Sequence, residues 1–567
     1  MKILKEFRVN DFITLKLEKG WCSRGGGIFD EYKERYRVQI YVNNEPFRIC
    51  TYLLLINPHL NEKQGEIQSI DEVREYLSGD LEKKITPRDL GISPEEEFWA
   101  HCSNLQAWVE HNYNTRLLDL TLSFPLLREL KRLGDPMAKK VFIKELLNRF
   151  FHGSDAFKEE LKGDGYFEEL TRDQELSLIE DPNDLDILLE LEEEYGEKPR
   201  WDYIGGEFTF SLKEGKIIGL KLPVNKDISS AISKLVNLED LWIRGKNLDR
   251  FPLLFKNLTK LNRLRILHTE QTKILPDSMK YLKHLKTLDI IACPELEYLP
   301  NLFESLHSLE KIIIVSCKNL KSLALSFGNI KKLKVLEIMK CPLLERLPDS
   351  FGNLEGLDDL KIRYSGLKRL PESFGNLKCK TITIDSCQLS RLPDSIGNLS
   401  VEYLDLRKNK LTYLPETFGN LKDVEKLYLN ENQLVILPDS IGNMQNLRVL
   451  MILNNNLHTL PESIANLSNL IELNLDRNQF EEFPNALLKM NHLKYLHIGV
   501  CKIKQIPSDI KMMKSLKRLT MRKLDISNLP LSLKSIKSLK VIDLKGSKIT
   551  KDRKEELEFK IGKMIVV

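Results

Sequence analysis

A chain of 567 residues with 42% hydrophobic and 30% charged content and a formal net charge of +4 is long enough for more than one buried core. Its nine cysteines, an odd number without paired clusters, fit a reduced compartment better than a disulfide framework, so the expected location is the cytoplasm. No apolar run reaches the roughly eighteen residues of a membrane span, and MKILKEFRVNDF lacks the apolar core of a signal peptide.

Residues 1–67 read as β-rich. FRVNDFITLKLEKG alternates, and RVQIYVNNEPFRICTYLLLI gives two runs across an Asn43-Asn44 turn. The glycine run in WCSRGGGIFDEYKERY lacks the Gly-Lys-Ser/Thr ending of a phosphate loop and reads as a hairpin insertion, with Cys22 the one cysteine expected to be exposed. Residues 68–200 turn helical. SPEEEFWAHCSNLQAWVEHNY opens with Ser93 as cap, Pro94 next and three glutamates in the first turn, all favoured at a helix start. Helices also fit FPLLRELKRLGDPMAKKVFIKELLNRFF, broken near Gly134-Asp135-Pro136, and the stretch ending in LELEEEYGE. Residues 201–216 return to strand character and are expected to cap the first coil of a repeat array.

From residue 217 the chain repeats itself. VEYLDLRKNKLTYLPETFGNLKD, VEKLYLNENQLVILPDSIGNMQN and LRVLMILNNNLHTLPESIANLSN succeed one another at a spacing of 23 residues. Within LDLRKN, Leu404 and Leu406 point to one face and Asp405 and Arg407 to the other, because a strand has period 2. One such coil cannot bury its apolar face alone, so copies must stack. Alternation at this period is the leucine-rich repeat signature, and the expected fold is an α/β horseshoe solenoid with a parallel inner sheet, preceded by a small α+β domain. Middle strand residues from Leu220 to Ile542 mark about fifteen repeats across 217–550, spaced 21 to 24 residues apart. Residues 551–567 should form the C-terminal cap.

The turn slot holds Asn409, Asn432, Asn455 and Asn478 in the best copies, where an amide can both donate and accept. Cys293, Cys317 and Cys341 fill it in earlier copies that are one residue longer, and Cys387 and Cys501 fill it elsewhere. A thiol tolerates burial and donates weakly, so these cysteines read as structural; no Cys-x-x-Cys or His/Cys ligand spacing accompanies them. The Asn-type copies, with LPDSIGNL as marker, resemble the intracellular Ras-group (Shoc-type) leucine-rich repeat proteins. The Cys-type copies resemble the repeats of plant disease-resistance receptors. The resemblance covers about residues 213–550 and implies a protein-binding scaffold or sensor, with a signalling protein such as a small GTPase among the partners it suggests.

No nucleotide-binding, protease, kinase or hydrolase motif is present, and no cofactor or metal is expected. Candidate partner-binding residues lie on the inner face: Ile291, Ile313, Val315, Met339, Arg363, Tyr364, Asp405, Arg407, Tyr428 and Met451. Residues 485–567 hold twenty Lys/Arg against seven Asp/Glu, a net of +13, without the interleaved aromatics that would favour nucleic acid. The expectation is a non-enzymatic, cytoplasmic binding scaffold working through its concave face, possible work in intracellular signalling included. The alternative is an enzyme or enzyme regulator whose activity lies in residues 1–200, with the repeats for targeting.

Overall fold

The computed structural model describes residues 2–23, 32–49, 92–118, 120–152, 165–202, 206–223, 228–244 and 253–567. The glycine run and the side chain of Cys22 lie outside the described residues. The chain divides into two compact units, 1–174 and 175–567.

The first unit carries an antiparallel sheet of four strands in sequence order: β1 (Lys2–Arg8), β2 (Ile13–Ser23), β3 (Tyr32–Val42) and β4 (Glu45–Ile49). Asn43 and Asn44 both take positive φ, 49° and 67°, which is the backbone a two-residue hairpin turn requires. Ile13, Leu15, Leu17, Val38, Ile40 and Val42 alternate into the core. Helix α1 (Pro94–Glu110) packs on β2 and β3; its start is a capping box in which Ser93 and Glu96 exchange hydrogen bonds. Helices α2 (Leu120–Arg132) and α3 (Pro136–His152) come next and pack together.

The second unit is a solenoid. Its first pieces are a short strand β5 (Arg200–Trp201) and a hairpin of β6 (Thr209–Lys213) and β7 (Lys216–Lys221). From β7 onward each strand pairs in parallel with the next, ending at Met564–Val566, in a sheet of eighteen strands. Lys311–Val315 shows why: Ile312 and Ile314 are fully buried while Lys311 stays exposed and Ile313 and Val315 half-buried. From the strand Arg263–Leu267 to the strand Val541–Asp543 the coils return through short 3₁₀ turns on the convex side, such as Asp349–Asn353, and Phe327, Phe351 and Phe374 of successive turns stack with ring centroids 6.2 and 6.0 Å apart. The glycine after Phe351 has no room for a side chain: a Cβ on Gly352 would lie 1.7 Å from the Ser373 carbonyl oxygen of the next coil.

The division falls at 174/175 rather than near residue 200, because the helical stretch before 200 is tied to the array. Helix α4 (Pro182–Tyr195) places Asp184 to accept from the Ile217 N–H at 2.8 Å and Tyr195 Oη to accept from the Ser229 N–H at 3.0 Å. Buried Glu175 pairs with Arg200 at 2.8 Å. At the other end, α5 (Lys551–Ile561) starts on Thr550, stops at Gly562 with φ 71°, and hands over to the last strand.

One backbone feature recurs along most of the array. Twelve consecutive coils, from His268 to Lys523, turn off the strand through a non-glycine residue with φ between 51° and 58°. Each of these residues donates its N–H to a carbonyl of the next coil, as Lys408 does to Asn430 at 2.9 Å. The hydrogen bond holds a left-handed conformation that costs about 1–2 kcal/mol in isolation.

Candidate partner-binding face

The strand register places the inner-face residues in rows that run from coil to coil. Ile291, Val315, Met339 and Arg363 are direct register partners and form one row, which Asp385 continues. Asp405, Tyr428 and Met451 form part of a second row, in which Ile313 stands further toward the N-terminal end. All the apolar members are half-buried against their neighbours. Tyr364, on a left-handed residue at the rim, is 54% exposed.

Asp405 differs from expectation: it is fully buried, because Arg407 lies over it and makes hydrogen bonds of 2.7 to 3.0 Å through Nε and Nη2. Asp405 also accepts the Arg407 backbone N–H. Hydrogen bonding to Asp405 raises the Arg407 guanidinium above its already high range, so it stays charged at any working pH. Arg407 sits 5.4 Å from the Tyr428 ring, and Tyr428 lies 5.1 Å from Tyr403. Burial pushes both phenols up. Asp405 therefore positions Arg407, and the arginine and the two tyrosines, not the carboxylate, are what this part of the inner face presents.

One coil away the chemistry is unfinished. Arg363 and Asp385 approach to 3.8 Å, too far for a hydrogen bond, and the buried Arg363 Nε and Asp385 Oδ1 have no hydrogen-bond partner among the described residues. Asp385 was not among the candidates from the sequence; counting along its row, between Arg363 and Arg407, would have found it. Trp242, Arg265 and Asp289 were missed for the same reason: Arg265 stacks 4.2 Å over Trp242 and approaches Asp289 at 3.0 Å.

The slot thiols of the three longer coils are shut off from solvent. Cys293, Cys317 and Cys341 are fully buried and free, and the sulfurs of Cys293 and Cys341 on either side, with burial, push the Cys317 thiol up. Burial holds Cys387 and Cys501 at about 11. In the first unit, burial lowers His101 to about 4 and raises Cys102 to about 12, so at neutral pH the adjacent pair is uncharged. Among the described residues no cluster of three His, Cys, Asp or Glu side chains is arranged for a metal, and no helix is long and apolar enough to cross a membrane.

Family models match two stretches, a leucine-rich repeat region over residues 441–565 and a leucine rich repeat over 378–434. The array is built of leucine-rich repeats. Leucine-rich repeats of this kind mediate protein–protein interaction. Among solved structures, a leucine-rich repeat protein of Leptospira interrogans is 27% identical, covering 60% of this chain and 86% of that one, with a TM-score of 0.51. The plant peptide hormone receptor RGFR1, solved in complex with RGF2, is 25% identical; the match spans 60% of this chain and 56% of the receptor chain, with a TM-score of 0.44. A leucine-rich repeat protein of Bacteroides eggerthii is 17% identical over 73% of this chain and 79% of that one, with a TM-score of 0.44. No curated protein sequence matches.

Proposed function

We propose that the concave face binds another protein, without chemistry of its own, centred on Arg363, Asp385, Arg407, Tyr403 and Tyr428 and flanked by the apolar row Ile291, Val315 and Met339. The observation that carries this reading is the Arg363–Asp385 pair: two half-buried charged groups, each with a buried polar atom left without a hydrogen bond, beside a guanidinium and two phenols already locked in place. Unmade hydrogen bonds at buried atoms are costly, and a partner supplying a donor and an acceptor removes that cost. Arginine and tyrosine held rigid beside apolar anchors are the groups that dominate protein interfaces. The Ras-group resemblance supports a signalling protein as the partner, and the buried free thiols support a reducing compartment such as the cytoplasm.

The test is capture of partners from extract by the full chain, followed by affinities of variants. Arg363→Ala and Ile313→Glu should each weaken binding at least ten-fold while the melting temperature stays within a few degrees, since both side chains lie on the open face. Undiminished binding by both variants would remove the site from the concave face. Catalytic turnover traced to residues 1–174 would replace the reading with an enzymatic one.

A further inference from the structure

We propose that one lateral edge of the last coils docks on an anionic lipid surface. This goes beyond the concave-face reading and uses none of its residues.

The residue two places before the buried middle of each inner strand forms a row along the edge, joined coil to coil by backbone hydrogen bonds. In the middle of the array the row reads Lys286, Glu310, Lys334, Asp358, Lys380, Glu402, strictly alternating in sign. Adjacent members neutralise one another: Glu310 pairs with Lys334 at 2.8 Å, and Asp358 with Lys380 at 3.7 Å. Toward the C-terminal end the alternation stops, and the row becomes Lys494, Lys517, Lys540 and Lys563. The same backbone ladder carries it, with Lys517 N–H on the Lys494 carbonyl at 2.8 Å and Lys540 N–H on that of Lys517 at 2.9 Å. Strand spacing sets the attachment points about 4.8 Å apart. Lys489, Lys502 and Lys548 nearby have carboxylate partners. The four in the row have none within 4.0 Å among the described residues. A fold that uses this row elsewhere for self-neutralisation leaves it single-signed here, which favours an external anion.

The rest of the edge selects the kind of anion. Lys514 and Lys537 repeat in the adjoining turns, and Lys511 and Lys534 on the 3₁₀ turns; all four are exposed. Seventeen of the twenty basic residues in 485–567 are lysine. Compact ammonium charges suit a diffuse anionic surface, whereas forked recognition of individual phosphates favours arginine. Large apolar side chains stand among them: Leu531 is 56% exposed and lies three residues from Lys534 on one 3₁₀ turn, and Phe559 of α5, which packs against that turn, is 90% exposed. Lysines beside exposed apolar groups on an edge held by a backbone ladder are what a headgroup layer receives, the charges staying at the headgroups and the apolar groups entering below.

The experiment is co-sedimentation of the full chain with phosphatidylcholine vesicles, with and without phosphatidylserine. The chain should pellet only with the phosphatidylserine vesicles and be released as salt rises. Each lysine near such a surface contributes about five-fold in partitioning, so the double replacement Lys517→Gln with Lys540→Gln should lower binding on the order of twenty-fold. Phe559→Ser should lower it several-fold at every salt concentration. Lys334→Gln, in the self-neutralised part, should leave it unchanged. Both glutamine variants relieve or leave intact the packing, and unchanged melting curves establish that they fold. Equal binding to the neutral vesicles, no loss in the double variant, or binding to duplex DNA or polyglutamate without binding to vesicles would each overturn the proposal.

Discussion

The coils around Cys293 to Cys341 and those around Asn409 to Asn478 solve one problem in two ways. In the Asn coils the amide nitrogen of Asn432 donates to Leu406, Leu429 and Asn430 carbonyls, and its oxygen accepts the Leu411 N–H of the preceding coil. One side chain thus stitches adjacent coils. A thiol is a poor acceptor, and Cys317 reaches the Ile290 and Val315 carbonyls only at 3.8 Å, between the sulfurs of Cys293 and Cys341. The longer loop supplies the missing acceptor from the backbone: Leu296, Leu320 and Leu344 donate to the carbonyls of Cys293, Cys317 and Cys341. In these three coils the extra residue closes the turn that frees the slot from needing an amide, whereas Cys387 and Cys501 fill the slot in loops of ordinary length. The open face differs in step. In the Asn half the strands run three residues, and Asp405, Asn474 and Asp543 take backbone N–H groups two residues on. In the Cys half the strands run five residues, whether the corresponding side chain is Asp289 or Ile313.

The comparison is broken most severely by Asn432→Ala, which orphans the Leu411 N–H and takes one of two donors from the Leu406 and Leu429 carbonyls, and should cost about 3 kcal/mol in urea denaturation. Asn432→Cys should cost nearly as much, because the short loop of the Asn409 coil has no backbone turn to receive the Leu411 N–H; recovery on inserting one residue after position 409 would confirm that a longer loop substitutes for the amide. Cys317→Asn should cost about 1–3 kcal/mol, since its new amide oxygen meets no free donor. A Cys317→Asn variant as stable as the parent would mean the two designs are interchangeable. The smallest effect concerns Asp476, in an Asn coil, whose carboxyl is raised by burial although it accepts the Gly499 N–H at 2.5 Å. A raised carboxylate binds its proton more tightly when folded, so it subtracts stability as pH rises through and above its folded value. Asp476→Asn should therefore gain stability at neutral pH, by less than about 1 kcal/mol, and lose that gain in acid below the ordinary carboxylate range. Denaturation at the two pH values measures it.

The repeat grammar was legible because each coil restates it: the buried leucines, the turn slot and the Pro-led 3₁₀ turn recur at a fixed period. The inner-face rows were legible only in part. Alternation along one strand tells that Arg363 faces outward, but the company it keeps depends on the register between coils of unequal length, and so Asp385 and Arg265 escaped. Asp405 looked like a surface charge because period 2 gives direction without depth; only the arginine folded over it makes it buried. Residues 175–200 read as part of the helical domain because composition carries no record that Asp184 and Tyr195 bond to backbone groups beyond residue 215.

The left-handed residues between His268 and Lys523 make each coil's relaxed shape conditional on its successor. The acceptor that holds residue 408 in place belongs to the coil of Asn430, which in turn is held by the coil after it. Conformational tension is thus passed down the array in one direction, from each coil to the next, and only the last link rests on the cap. Losing the cap would slacken coils one after another from that end, so the array unravels directionally, and the strand Met564–Val566 acts as the anchor of a tensioned chain.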